Sequence, residues 1–287
     1  MKILFYTHNH LGDTLLSTAL IRDLKKQFQD IEIGFQSNYQ AVFDGNPNIS
    51  EFDNPDVSVK LEYAPFSQRT ADGGNLFEGW RKHFEIMASV KVNYGPEEID
   101  LYYKEYEKER LFDQDYIVIN AGNQSCSEIK SYPFWQEIVN KLMREFTIIQ
   151  IGGSEKRDRH VPIDGTVNLI GKTTIRDLMR LVRDAKAVIS PPSAVSVLAT
   201  QKDFHGINAI INGTREPDLL TGYKNSMHFG NVCCKNYNKK SGCMKFYINN
   251  PLTMKSCFNV KEINGKQYPL CMCVDPDEIA NKVLEAI

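Results

Sequence analysis

The chain has 287 residues, of which 42% are hydrophobic and 24% charged, with a formal net charge of −2. At about 150 residues per domain, this predicts two domains with real cores and excludes a disordered or low-complexity chain. The near-neutral charge excludes a nucleic-acid binder driven by bulk electrostatics, leaving only a local basic groove open. No run reaches the roughly 18 apolar residues that would span a bilayer. The opening MKILFYTHNH has too short an apolar stretch for a signal peptide, because His8, Asn9 and His10 interrupt it. The expectation is a soluble, cytoplasmic protein.

Two similar passages of alternating strand and helix signals follow. Lys2–Thr7 is a short apolar strand, and a helix is predicted from about Asp13 to Phe28. Its Leu16, Leu20, Leu24 and Phe28 recur every four residues and line one face. Ile31–Phe35 and Val57–Leu61 read as strands, and Leu76–Val90 as a helix. Residues 96–114 carry charge and tyrosine with little apolar periodicity, and read as a connection. Tyr116–Asn120 is a β-branched run expected to be a buried strand. Phe134–Phe146 is a helix, with Phe134, Ile138, Leu142 and Met143 on one side, and Thr147–Ile151 a strand. Thr174–Val182 and Ala194–Thr200 are helices; Ala187–Ser190 and Ile207–Ile211 are strands; Pro276–Ile287 is a closing helix.

Strands alternating with helices predict parallel, doubly wound sheets. Two such units make a two-lobed α/β protein with a cleft, and ligands bind beyond the carboxyl ends of the strands. The first loop of interest is His8–Thr14. Gly12 permits a tight turn into the helix, and Asp13 and Thr14 sit where a cap belongs. Asp13 is either a plain cap or a carboxylate at the cleft mouth, placed to take a proton from a hydroxyl. The second passage supplies Asn120-Ala121-Gly122, Ser125, Lys130 and Gly152-Gly153-Ser154-Glu155. Glycines at a strand end allow close approach of backbone to phosphate. Gly171-Lys172-Thr173 has the tail of a P-loop, but Thr166 stands where its first glycine belongs, which excludes an NTPase. The three spaced glycines of a dinucleotide site are also missing, which argues against a dehydrogenase.

Together these segments resemble glycosyltransferase family 9, the heptosyltransferase-like enzymes. The resemblance is carried by residues 11–25 (LGDTLLSTALIRDLK), by 168–178 followed by Ala187–Ser190, and by Gly213-Thr214-Arg215-Glu216-Pro217 with Tyr223 after it. Cys233-Cys234 and Cys243 are similar to the cysteines of one branch. The resemblance implies a GT-B-like fold of two Rossmann-like doubly wound lobes facing across a cleft. It implies an acceptor lobe at residues 1–112 and a sugar-nucleotide lobe at 113–230. A Cys-rich segment (231–275) packs on the second lobe, and a C-terminal helix covers 276–287. It also implies inverting transfer from a nucleotide-sugar donor to a glycan hydroxyl, with Asp13 as general base and no metal at the reacting centre. The donor and its phosphates fall to Gly12, Asn120, Lys130, Gly152, Gly153, Glu155, Ser193, Ala194 and Arg215.

One departure is large. The family's Asp-Ser/Thr-Gly-x-x-His segment corresponds to Pro192-Ser193-Ala194-Val195-Ser196-Val197, so its carboxylate, glycine and imidazole are absent and only Ser193 stays. That leaves the donor's identity open. It also motivates two alternatives: a non-catalytic relative that binds a nucleotide or glycan, and a transferase acting on an unusual acceptor such as modified DNA. For the last, Lys25, Lys26, Lys60, Arg69, Arg81 and Lys82 are the basic residues of the first lobe, and such charges are usually a solvated face.

Six of the seven cysteines lie between Cys233 and Cys273; Cys126 is remote. In a reducing compartment this cluster reads either as buried thiols or as a structural metal site holding Zn or Fe. The preferred ligands are Cys234, Cys243, Cys257 and Cys271, spread along the segment. No cofactor is expected for catalysis.

Overall fold

The computed structural model of the chain describes residues 1–7, 10–61, 76–122, 130–154, 160–212, 226–230 and 259–287. Among the described residues its first sheet has three parallel strands: β1 (Lys2–Thr7) lies between β2 (Glu32–Ser37) and β3 (Val57–Lys60). Phe5 is in register with Phe35 on one side and Val59 on the other. Helix α1 (Leu11–Gln27) returns the chain from β1 to β2, and α2 (Leu76–Ala88) packs beside α1.

The four-residue apolar spacing of α1 predicts one buried face. The structure buries the helix all round: every residue from Asp13 to Leu24 is buried. Its polar groups are therefore satisfied internally. Ser17 Oγ donates to the Thr14 carbonyl (2.6 Å) and Thr18 Oγ to that of Leu15 (2.7 Å). Asp23 accepts from Arg81 Nε (2.8 Å), Arg22 Nε (3.1 Å) and the Gly95 amide (3.1 Å). Arg22 also donates to the carbonyls of Pro96 and Glu98, so this buried ion cluster fastens the start of the connection to α1.

The second sheet has, among the described residues, six parallel strands in the order β6-β5-β4-β7-β8-β9. They are β4 (Tyr116–Ile119), β5 (Thr147–Gln150), β6 (Val167–Asn168), β7 (Ala187–Ser190), β8 (Ile207–Ile211) and β9 (Ser226–Phe229). Every residue of β4 and β7 is buried, as a parallel sheet covered on both faces requires. Alternate side chains serve two cores. Ile117, Ile119, Ile189 and Ile211 pack with α3 (Trp135–Leu142) and α6 (Pro276–Ala286). Val118, Ile149, Val188 and Ile210 share a single core with Phe5, Ile33, Leu16 and Leu20 of the first sheet and α1. Between the sheets lie α4 (Ile175–Arg183) and α5 (Ala194–Leu198), with α5 against α1.

The expected strands are all present, and the helices fall within a few residues of their predicted bounds. The helix expected over 134–146 is shorter, since residues 143–145 form a turn. Residues 96–114 hold only a 3₁₀ turn, Glu105–Glu107. Four strands lacked a readable signal. β6 has two residues, β9 is an edge strand, and β10 (Val260–Ile263) and β11 (Lys266–Pro269) form a hairpin. The hairpin turns at Asn264-Gly265, both at positive φ (52° and 75°). That is the Asn-Gly preference of a two-residue turn with both central residues left-handed. Helix α6 starts as predicted: Asp275 accepts from the Asp277 amide (2.9 Å), with Pro276 at the first helical position. Among the described residues no helix is long and apolar enough to cross a membrane.

Candidate functional site

Strand order locates the site. In the second sheet the chain winds outward from β4 to β5 and β6, then returns past β4 to β7, β8 and β9. In parallel sheets of this kind ligands bind beyond the carboxyl ends of the strands at such a switch, here between β4 and β7. In the first sheet the switch is between β1 and β3, and α1 begins just beyond β1. The residues after β1, β4 and β7 are the ones the sequence singles out.

Gly12 and Asp13 occupy the first turn of α1. His10 is the N-cap residue, and its amide donates to Asp13 Oδ2 (3.3 Å). Asp13 is 8% exposed. The next residue, Thr14, is held to the end of β2, with its hydroxyl 3.1 Å from Ser37 Oγ. A Cβ at Gly12 would lie 3.6 Å from the Cα of Ala194 and 3.8 Å from its nitrogen. The first turns of α1 and α5 therefore abut at Gly12, the residue before Asp13.

Ser193 caps α5. Its hydroxyl accepts from the Val195 amide (3.3 Å), and its own amide donates to Ser196 Oγ (3.0 Å). A hydroxyl that accepts one bond can still donate its proton. Lys130 Nζ donates to the Pro192 carbonyl (2.9 Å), which ties the loop after β4 to the loop after β7. Asn120 reinforces this: its amide donates to the Ile189 carbonyl (3.0 Å) and its Oδ1 accepts from the Gly122 amide (3.2 Å). Gly122 has φ +73°, and a Cβ there would lie 2.8 Å from Pro191 Cγ. Only glycine suits both the angle and the prolyl ring packed on it. Thus Gly12, Asp13, Ser193 and Ala194 form one group, which Asn120 and Lys130 join through the Pro191-Pro192 turn.

Gly152 and Gly153 lie at the end of β5, on the far side of β4 from β7. The imidazole of His160 packs onto the Cα of Gly152, where a Cβ would collide with it. Gly171 (φ +67°) donates its amide to the Gly152 carbonyl (2.8 Å) and carries the Ser154 side chain against its Cα. The absence of a side chain at Gly152 therefore has a packing reason within the chain itself. Sequence reasoning missed Ser37, Pro191 and His160, none of which carries a motif, and gave Pro192 no role beyond replacing an aspartate.

Glu155, Arg215, Cys234, Cys243 and Cys257 lie outside the described residues, as do His8 and Ser125. Cys271 is buried among Met272, Val274 and the residues of α6. The thiol of Cys273 donates to the Pro269 carbonyl (3.4 Å), and burial pushes its pKa up. Among the described residues no group of three or more His, Cys, Asp or Glu is placed to hold a metal ion.

No protein-family model matches the chain, and no curated protein does. Solved structures do. TibC, a bacterial iron-containing dodecameric glycosyltransferase from enterotoxigenic E. coli H10407, superposes with TM-score 0.68 and 16% identity, over 99% of this chain and 75% of that one. TibC in complex with ADP-D-beta-D-heptose gives TM-score 0.62 and 15% identity, over 84% and 66%. The glycosyl transferase family 9 structure from Veillonella parvula DSM 2008 gives 0.61 and 13%, over 99% and 95%. The fold of this chain, two parallel α/β sheets, is thus similar to that of solved heptosyltransferase-like glycosyltransferases, one of them of family 9.

Proposed function

We propose that the protein is an inverting glycosyltransferase that moves a sugar from a nucleotide-sugar donor to a hydroxyl of a glycan acceptor. The observation that carries this reading is the approach of Gly12 to Ala194, which sets the Asp13 turn against the start of α5. In this reading residues 1–112 hold the acceptor and residues 113–230 the donor, on either side of a GT-B cleft. The bound ADP-heptose of TibC supports a nucleotide sugar as the donor class. The protein works in the cytoplasm.

The placement of these residues supports the following reaction. Asp13 takes the proton of the acceptor hydroxyl as that oxygen attacks the anomeric carbon. The bond from that carbon to the phosphate oxygen breaks, and the nucleoside diphosphate leaves with the bonding pair. Lys130, the Ser193 hydroxyl and the first amides of α5, including that of Ala194, face the charge that accumulates on the leaving group. Gly12, Asn120, Gly152, Gly153, Glu155 and Arg215 complete the donor site, and no metal takes part at the reacting centre.

Two features favour a second reading, a non-catalytic binder. The family's Asp, Gly and His are replaced after β7, and both Asp13 and Ser193 already serve as caps. One experiment separates the two. The purified protein is incubated with ADP-, UDP-, GDP- and CMP-sugars, and binding and sugar release are followed. Turnover lost in Asp13→Asn supports the transferase; binding with no transfer or hydrolysis supports the binder; no binding by any donor ends both.

A structural metal at Cys234, Cys243, Cys257 and Cys271 belongs to the same proposal. Six clustered thiols support it, together with the iron of TibC. Such a metal orders its segment and takes no part in the transfer.

A further inference from the structure

We propose that the two sheet units are locked as one body by an arginine clamp on α4, and that Arg176 thereby sets the distance between Asp13 and Ser193. Arg176, Arg180 and Arg183 recur at four- and three-residue spacing, so they share a face of α4. That face grips the connection between the sheets. Arg176 donates to the Tyr102 carbonyl (2.7 Å), Arg180 to that of Glu109 (2.9 Å), and Arg183 to those of Glu107 (2.9 Å) and Lys108 (3.2 Å). The Tyr103 ring lies between the guanidinium groups of Arg176 and Arg183, at 5.5 and 4.7 Å. Its hydroxyl reaches Gln201 and the Met179 carbonyl.

Arg176 alone spans three elements. Its guanidinium makes a two-pronged pair with the buried Glu107 carboxylate, through Nε (2.7 Å) and Nη2. Its Nη1 extends to the carbonyls of Ala41 (3.3 Å) and Asp44 (3.4 Å), on the turn that follows β2. One side chain of the second unit thus holds the connection and the first unit together. Only a planar fork of donors can do this. The apolar core running from Phe5 and Leu20 to Val118 and Leu198 continues the same joint. A connection bound along a helix in this way cannot serve as a hinge. Arg176 touches neither Asp13 nor Ser193; it acts on them by holding the pose of the units that carry them.

The kinetic half of this inference rests on the transferase reading; the mechanical half does not. Spin labels on noncanonical residues replacing the exposed Asp30 and Lys202 report the separation of the units by pulsed electron resonance. In the wild type, the distance is expected to be single and unchanged on adding ADP or UDP. In Arg176→Ala it is expected to lengthen and broaden, with Arg176→Lys in between. In an assay with a turned-over sugar nucleotide, kcat of Arg176→Ala falls by about 10²-fold while donor KM stays level, as a misplacement of about 1 Å would give. A wild-type distance that changes by several ångström with nucleotide, or an Arg176→Ala distance equal to wild type, overturns the lock. If Arg176→Ala does not fold, Glu107→Gln and the wild-type nucleotide comparison decide the question. If no nucleotide binds, the transferase reading falls, while the apo distances of wild type and variant still judge the lock.

Discussion

A Cβ placed on Gly12 would meet Ala194, 182 positions away in the chain, at van der Waals distance where the first turns of α1 and α5 lie side by side. The space left at Gly12 admits a methyl group at ordinary van der Waals contact. Gly12→Ala is expected to fold with near-native stability. Gly12→Leu drives the two turns apart and costs about 1–3 kcal/mol, the usual range for overpacking. Urea unfolding checks the stability, and nucleotide titration checks whether the site is lost with it.

In the transferase reading the Asp13 carboxylate has two tasks, cap and base, that substitution can separate. Asp13→Asn keeps an oxygen for the His10 amide and loses only the charge near the helix N-terminus, so its unfolding midpoint is expected to fall less than that of Asp13→Ala. Asp13→Ala loses both that bond and the charge near the helix N-terminus, at a cost of about 1 kcal/mol. Both variants lose the base, and transfer falls by about 10²- to 10⁴-fold. Full activity in Asp13→Asn would show that the residue is only a cap.

Hydrogen bonding to Arg176 holds the Glu107 carboxyl at about 2, well below its ordinary value of 4.5. A carboxyl depressed by folding stabilises the protein above its unfolded value, and that contribution is lost as pH falls from about 4.5 toward about 2. Wild-type stability is expected to drop across this window more steeply than that of Glu107→Gln. At neutral pH the variant leaves Arg176 without its counter-charge and loses about 3 kcal/mol. Parallel slopes in urea unfolding at pH 5, 4 and 3 would contradict the assignment.

Gly122→Ala tests the Pro191-Pro192 turn. It places a Cβ against Pro191 at a left-handed angle, which costs about 1–3 kcal/mol. Relief of that clash moves the Pro192 carbonyl away from Lys130. Nucleotide affinity is expected to fall with the stability, whereas a change in stability alone would separate this turn from the binding site.

Elemental analysis of the purified protein for zinc and iron tests the cysteine cluster. Chelation is expected to lower the melting temperature and release metal, and Cys271→Ser to do the same. Full stability in metal-free protein would leave the cysteines as thiols.

Local chemistry by itself determined the helices and most of the strands of both units. β-Branched runs such as Tyr116–Ile119 bury on both faces, and the Leu16-Leu20-Leu24 spacing makes a helix wherever it is placed. The loops worth watching were also legible, because ligands gather beyond strand ends. The two-residue strand β6 carried too little pattern to be seen, and the Asn264-Gly265 turn lay in a segment read for its cysteines. Only the tertiary structure decided which loops meet. The Gly12–Ala194 contact, the Lys130–Pro192 bond and the reach of Arg176 to Ala41 each join residues at least 62 positions apart. Such pairings depend on strand order and on the packing of α1 between α2 and α5. Periodicity reports which face of an element is buried; it carries no information on which partner buries it.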